Sequence, residues 1–249
     1  MSNINLLKKI IHLDTVESTN NYAAKLYNSG VIDQETVIMA DNQTNGRGQR
    51  EKTWHSDPYQ NLTFSAILPS DKVKFNSTVR LVFVVSLSLS RFLKKLELES
   101  SLKWPNDIYV NGKKLAGILI ENNYSGSSVN YSIIGIGLNV NQKEFELINA
   151  TSLSNELSKS YNLRELLLSL LNDMNKSLNE LSSLPFDEVV KQYNDLLFGK
   201  GEQLQFREKL TDEIFTGEIK GVNEEGDIFI LTEGKEKAFK NGEVELIGK

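Results

Sequence analysis

The chain has 249 residues, of which 39% are hydrophobic and 8% aromatic, with a formal net charge of −5. That is too apolar for a disordered segment and too acidic overall for a general nucleic-acid binder. Cysteine is absent, which removes thiol nucleophiles, disulfides and cysteine zinc sites; His12 and His55 are the two histidines, too few for a multi-histidine metal centre, and neither lies in a nucleophile-elbow context.

In chain order, MSNINLLKKIIHLD carries no apolar signal region, and nowhere do eighteen apolar residues run together, so a cytoplasmic protein without a membrane span is expected. ESTNNYAAKLYNSG opens on Ser18 and Thr19 and closes at Gly30, a capped short helix with a stop signal. ETVIMAD reads as a strand and so does NLTFSAIL. Between them NGRGQREKTW, residues 45–54, has two glycines, three basic residues and no aliphatic side chain, which makes it a loop. A basic loop on an acidic protein points to a small anionic ligand. Arg47 between Gly46 and Gly48 can close bidentately on a carboxylate or phosphate, and the flanking glycines suit a loop that orders when the ligand arrives. A solvated surface loop is the plainer alternative.

STVRLVFVVSLSLSRFLKKLELE reads as a buried helix. DIYV, KKLAGILIEN and NYSIIGIGLNV read as strands, the first two joined at Asn111-Gly112, a strong hairpin signal, and the next turn supplied by NYSGSSVN. With a two-residue turn, Tyr109 faces Lys114 and Asp107 faces Ala116. Asp107 and Lys114 then share one sheet face diagonally, with the small Ala116 leaving room for a ligand between them; a cross-strand salt bridge is the alternative. Lys103, ahead of the Trp-Pro break, aims at the same region. Gly117, Gly135 and Gly137 leave the sheet bare where a ligand or another backbone approaches, and Asn139 ends the strand with a polar amide. NLRELLLSLLNDMNKSLNELSS is a leucine-spaced helix capped by Asn162, with Glu165 three residues on. PFDEVVKQYNDLLF is another. From about residue 199 five short glycine-punctuated strands read as a small β-barrel, so domains of 1–197 and 198–249 are expected.

ESTN, QTNGRG with Trp54 downstream, KWPNDIYVNGKKLAGIL and IIGIGLNVN span residues 17–141. In that order and at those separations they resemble the biotin protein ligases. The resemblance implies an α+β fold: a mixed, largely antiparallel sheet packed with helices, of the class II aminoacyl-tRNA synthetase and biotin synthetase kind, plus a C-terminal Src-homology-3-like β-barrel. It also implies two reactions. Biotin's carboxylate attacks the α-phosphate of ATP to give biotinyl-5′-AMP and pyrophosphate, and a lysine of a biotin carboxyl carrier protein then displaces AMP.

By the same resemblance Lys114, Arg47 and Asp107 are the catalytic residues. Ser18, Thr19, Asn20 and Gln43 meet biotin's ureido end, while Gly46, Arg47, Gly48, Gln49, Lys114 and Gly117 complete the biotin side. Arg47, Arg50, Lys103, Asn106, Asp107, Lys114 and Asn139 serve the nucleotide, with Mg²⁺ near Asp107 and Asn139; the NATSL stretch, 149–153, is a candidate adenine lining. Many relatives have arginine where this chain has Gln49 and glycine where it has Glu51, so a leakier adenylate is expected, with Arg50 compensating. ESTN begins at residue 17, leaving no room for the DNA-binding domain that some relatives carry, and a monomer or homodimer without DNA duty is expected. The rivals are a lipoate or octanoate ligase of the same fold and a non-catalytic biotin sensor; the KWPND and GRG stretches and the intact nucleotide-side residues favour the ligase.

Overall fold

The computed structural model describes residues 3–50, 52–72, 77–146 and 149–248. Its main element is a seven-stranded mixed sheet. The strands in chain order are β1 (Ile10–Val16), β2 (Thr36–Gln43), β3 (Leu62–Pro69), β4 (Ser101–Lys103), β5 (Asp107–Val110), β6 (Lys113–Ser125) and β7 (Ser128–Leu138). Their order across the sheet is β1-β2-β3-β7-β6-β5-β4, with β1 parallel to β2 and every other pair antiparallel.

The faces of this sheet differ. Phe64, Ala66, Ile134, Ile136, Ala116 and Ile118 point into a core shared with α2 (Thr78–Lys95), α4 (Leu163–Leu181) and α5 (Phe186–Asp195). The other face carries α1 (Thr19–Asn28), which packs Ala23 against Ile38, Ile67 and Ile133. Where α1 stops covering that face, β3, β7 and β6 present Thr63, Ser65, Gly135, Gly137 and Gly117. A cavity lies over this bare strip.

Short α3 (Leu153–Leu157) follows β7. The C-terminal segment forms its own antiparallel sheet from β8 (Gln203–Glu208), β9 (Ile214–Val222), β10 (Ile228–Thr232), β11 (Lys235–Phe239) and β12 (Val244–Gly248), in the order β11-β10-β9-β8-β12. Five strands were expected and five form. Trp104 Nε1 donates to the Gly226 carbonyl at 2.9 Å, one of the ties between the two sheets.

The caps follow sequence logic. Ser18 and Asn162 cap α1 and α4, Asn162 accepting from the backbone N–H of Arg164 and Glu165. Asn111 (φ 50°) and Gly112 (φ 74°) are both left-handed, as a type I′ turn requires.

Three expectations need correction. The turn expected over 123–130 is only Gly126-Ser127, because β6 and β7 run on to pair Ser125 with Ser128. Strands β1 and β4 were not anticipated. β1 is an edge strand with no fully buried residue, so its apolar signal is diluted by charge. The hairpin register also changes: Tyr109 pairs with Lys114, but Ile108 pairs with Ala116 and Asp107 with Gly117. A bulge admits Leu115, fully buried, as an extra residue. Ala116 therefore faces the core, and the space beside Asp107 and Lys114 is left by Gly117.

Candidate active site

The cavity has a volume of about 730 Å³ and runs from the N-terminus of α1 to the C-terminal sheet. Its first end is uncharged. The cap of α1 brings Ser18, Thr19 and Asn20 there, each at most 4% exposed. Thr19 donates to Gln43 Oε1 from its backbone N–H at 2.8 Å and from its hydroxyl at 3.1 Å. Ser65 Oγ lies 2.7 Å from Thr19 Oγ1 and 2.5 Å from Asn20 Oδ1. Buried polar groups thus satisfy one another at this end. Gly135 is required below them, since a Cβ there would lie 2.4 Å from Asn20 Oδ1.

The middle of the cavity is the β5–β6 hairpin. Lys114 Nζ sits 2.8 Å from Asp107 Oδ1, both side chains about a quarter exposed, and 5.5 Å from the centre of the Trp54 ring. That ring covers the two glycines: a Cβ on Gly137 would come within 2.2 Å of it, and one on Gly117 within 3.1 Å. Trp54 Nε1 is buried with no hydrogen-bond partner. Backbone bonds from Lys114 N–H to Asn149 O (2.8 Å) and from Thr151 N–H to Lys114 O (2.9 Å) fix the lysine's strand position.

The far end is cationic. Lys103 pairs in register with Asp107, and its Nζ donates to Tyr109 Oη at 3.2 Å. Burial holds its ammonium below the ordinary lysine range, opposed by the carboxylates of Asp107 and Glu245. Burial likewise raises the Tyr109 phenol, with Asp107 adding to the rise.

The basic loop is a tight hairpin rather than an open strap. Arg47 bridges Thr53, Trp54 N–H donates to Gly46 O at 2.9 Å, and Gly48 N–H donates to Lys52 O at 2.7 Å. Gly46 allows close approach, since a Cβ there would sit 2.5 Å from the Trp54 carbonyl. Arg47 turns to Glu121 (Nη2–Oε1 2.9 Å) and to Asn21 Oδ1 (2.8 Å).

Arg50 donates to the Asn241 carbonyl, and Asn241 Nδ2 donates to Gln49 Oε1 at 3.2 Å. The loop tip is therefore attached to the C-terminal sheet, with Lys52 a further 3.9 Å from Glu245. Glu51 lies outside the described residues.

Of the residues singled out from sequence, Ser18, Thr19, Asn20, Gln43, Arg47, Gly48, Gln49, Arg50, Lys103, Asn106, Asp107, Lys114 and Gly117 line the cavity. Asn106 also has a structural duty, its Nδ2 donating to Ile118 O at 2.6 Å. Three expectations fail here. Gly46 is absent from the lining, its place being a close backbone approach to the Trp54 carbonyl. Asn139 is 4% exposed, gives its amide to Thr151 O at 2.9 Å and is not part of the lining. Residues 149–153 are also absent from the lining; they fasten Lys114 from behind. Ser65 and Glu121, which touch lining residues without lining the cavity themselves, were missed, because a serine in one strand and a glutamate within another carry no local signal.

A metal was expected near Asp107 and Asn139. Asp107 is held by Lys114, Asn139 points elsewhere, and among the described residues no three His, Asp or Glu side chains gather around one point. These residues do not form a cage for a resident ion.

The model of the biotin/lipoate A/B protein ligase family matches residues 13–139 of this chain, the segment that supplies all but the C-terminal wall of the cavity. The chain belongs to this family. Among solved structures, a biotin protein ligase from Aquifex aeolicus in complex with biotin and ATP is 32% identical. It has a TM-score of 0.80, with 98% of this chain and 100% of that one covered. Among curated relatives, the bifunctional ligase/repressor BirA of Bacillus spizizenii is 28% identical, over 95% of this chain and 74% of its own length. A biotin–[acetyl-CoA-carboxylase] ligase of Paracoccus denitrificans is 33% identical over 51% of this chain and 53% of its own length. No helix among the described residues of this ligase-family chain is long and apolar enough to cross a membrane.

Proposed function

We infer that the chain is an ATP-dependent biotin protein ligase. The observation that carries the reading is the Lys114–Asp107 pair, placed where an uncharged polar pocket meets a cationic one. Biotin's ureido group suits the first end, where Thr19, Asn20 and Gln43 line the cavity with donors and acceptors and Ser65 supports them from behind. Lipoate's dithiolane offers these groups no hydrogen-bond partner, so its binding gains nothing from them. The acyl chain runs over the bare glycine strip, which brings the carboxylate to Lys114.

A carboxylate oxygen attacks the α-phosphorus of ATP, the new O–P bond forms as the bond to pyrophosphate breaks, and biotinyl-5′-AMP results. Lys114 neutralises the carboxylate and the α-phosphoryl oxygen. Asp107 fixes the ammonium, Lys103 faces the nucleotide, and Arg47 closes over the intermediate so that water does not hydrolyse it. In the second step an acceptor lysine amine attacks the acyl carbon, AMP leaves and the amine gives up its proton. Mg²⁺ enters on the triphosphate, in keeping with its preference for phosphate oxygens and water over all-protein cages.

The acceptor is the carrier domain of a biotin-dependent carboxylase, and the enzyme works in the cytoplasm without DNA duty as a monomer or homodimer. We also propose two domains, 1–197 and 198–249, supported by the separate ladder of β8–β12. ATP labelled at the α-phosphate, mixed with biotin or lipoate and no acceptor, tests the reading. Biotinyl-AMP is expected with biotin, falling about 10²–10³-fold in Lys114→Ala. Adenylate with lipoate alone, or none from protein that still binds biotin, overturns it.

A further inference from the structure

Glu121 has no place in the chemistry above. It sits on β6, two residues beyond Leu119 and four beyond Gly117, and so shares their sheet face, yet it does not line the cavity. Its Oε2 accepts from Asn20 Nδ2 at 2.7 Å, and its Oε1 meets Arg47 Nη2 at 2.9 Å. Arg47 Nη1 lies 3.3 Å from Oε2. One carboxylate thus touches the buried amide at the uncharged end and the guanidinium of the basic hairpin. We propose that Glu121 is a positioning residue that sets the hydrogen-bonding polarity of the uncharged end, and so its selectivity for ligands that present N–H donors.

A carboxylate paired with a guanidinium only accepts, so it faces the NH₂ side of Asn20 and never the carbonyl side. That turns Asn20 Oδ1 inward, toward Ser65 Oγ at 2.5 Å and over the bare Gly135. A flipped amide would set its carbonyl against the carboxylate in a site where Asn20 is 4% exposed, and unpaired buried acceptors are costly. Next comes the proton count. The Thr19 hydroxyl donates to Gln43, and the Ser65 hydroxyl has one proton for two oxygen neighbours. Four oxygens, from Asn20, Ser65, Thr19 and Gln43, therefore share the two hydroxyl protons, and those of Asn20, Thr19 and Gln43, which line the cavity, keep spare lone pairs. Such a cluster binds N–H donors and repels a second carbonyl. This deepens the biotin-ligase reading and rests on it, because the ureido N–H groups are the donors meant.

The test is a double-mutant cycle on the KM for biotin, read beside the KM for ATP in the adenylate assay. E121Q keeps size but can donate, so it no longer forbids the flipped amide; the biotin KM is expected to rise about tenfold, and by more than the ATP KM. N20D sets carboxylate against carboxylate and is expected to be worse. E121Q combined with N20D restores a donor facing an acceptor and keeps an oxygen turned toward Ser65, so its biotin KM should fall below that of N20D alone. A merely structural role gives no such rescue. Biotin KM values within twofold of wild type, or a double variant at least as impaired as N20D, overturn the inference. If E121Q fails to fold, N20D against the double variant still decides it. Failure of wild-type protein to adenylate biotin overturns the proposed function instead, so the two failures are told apart.

Discussion

At the uncharged end of the cavity Thr19, Asn20, Ser65 and Gln43 bond one another at 3.1 Å or less. They come from a helix cap and two neighbouring strands. At the other end, the 46–54 hairpin hangs on Asn241 and Glu245, side chains almost two hundred residues away in another sheet. The first end has its groups paired before any ligand arrives, and its geometry follows from strand register. The second depends on how two sheets meet, through exposed polar contacts that are individually weak. On the proposed reading, preorganised recognition belongs to the first end and retention of the reactive intermediate to the second.

The strongest way to break this contrast is Gly135→Ala. The added Cβ would stand 2.4 Å from Asn20 Oδ1, which is held by Ser65 on one side of its amide while Glu121 holds the other, and overpacking of this kind costs about 1–3 kcal/mol. Calorimetric titration should show biotin affinity reduced about tenfold to a hundredfold, with ATP affinity nearly unchanged. Equal losses for both ligands would mean that the two ends are not independent.

Lys103 sharpens the contrast through pH. Burial lowers its pKa below 10.5, so its charge disappears at a lower pH than that of a solvent-exposed lysine. ATP affinity should weaken as pH rises through that lowered value, while Lys103→Arg, charged throughout, keeps it. Stability moves the other way. Between the lowered value and 10.5 the unfolded chain holds more proton on this residue, so its contribution to stability increases with pH. An ATP affinity as flat with pH as the biotin affinity would show that Lys103 does not meet the nucleotide.

The smallest effects are expected at the loop attachment. Asn241→Ala should speed escape of biotinyl-AMP about two- to fivefold, in line with loss of one neutral hydrogen bond. Gln49→Arg, which adds a charge at the loop tip, should slow it. Both are read from the release of labelled intermediate after mixing with excess unlabelled biotin and ATP. An unchanged rate in Asn241→Ala would remove the C-terminal sheet from retention.

Much of this was legible locally. The Asn111-Gly112 turn has one good solution, both residues being left-handed, and it brought Asp107 and Lys114 together as their alternation required. The caps at Ser18 and Asn162 were equally local. What failed was non-local. The bulge at Leu115 answers to core space beneath the sheet, so the free position beside Asp107 fell to Gly117 and not Ala116. Asn139 looks in sequence like an amide aimed at a ligand, but its partner is the Thr151 carbonyl on a loop that no local signal places there. Gly46 and Gly48 suggested looseness; the hairpin uses them for close backbone approach.

The amino-acid sequence by itself determined most of the elements, the hairpin and its charge pair, the family resemblance and most of the charged groups around the β5–β6 hairpin. Each follows from spacing along one or two neighbouring strands, or from turn residues with few allowed conformations. Only the tertiary structure decided that Ser65 and Glu121 hold Asn20 from behind the uncharged end, that Asn139 stands outside it, and that Gln49 and Arg50 reach Asn241. Those facts depend on which strands become neighbours and how the two sheets meet. Side chains far apart in the chain have no spacing to betray them.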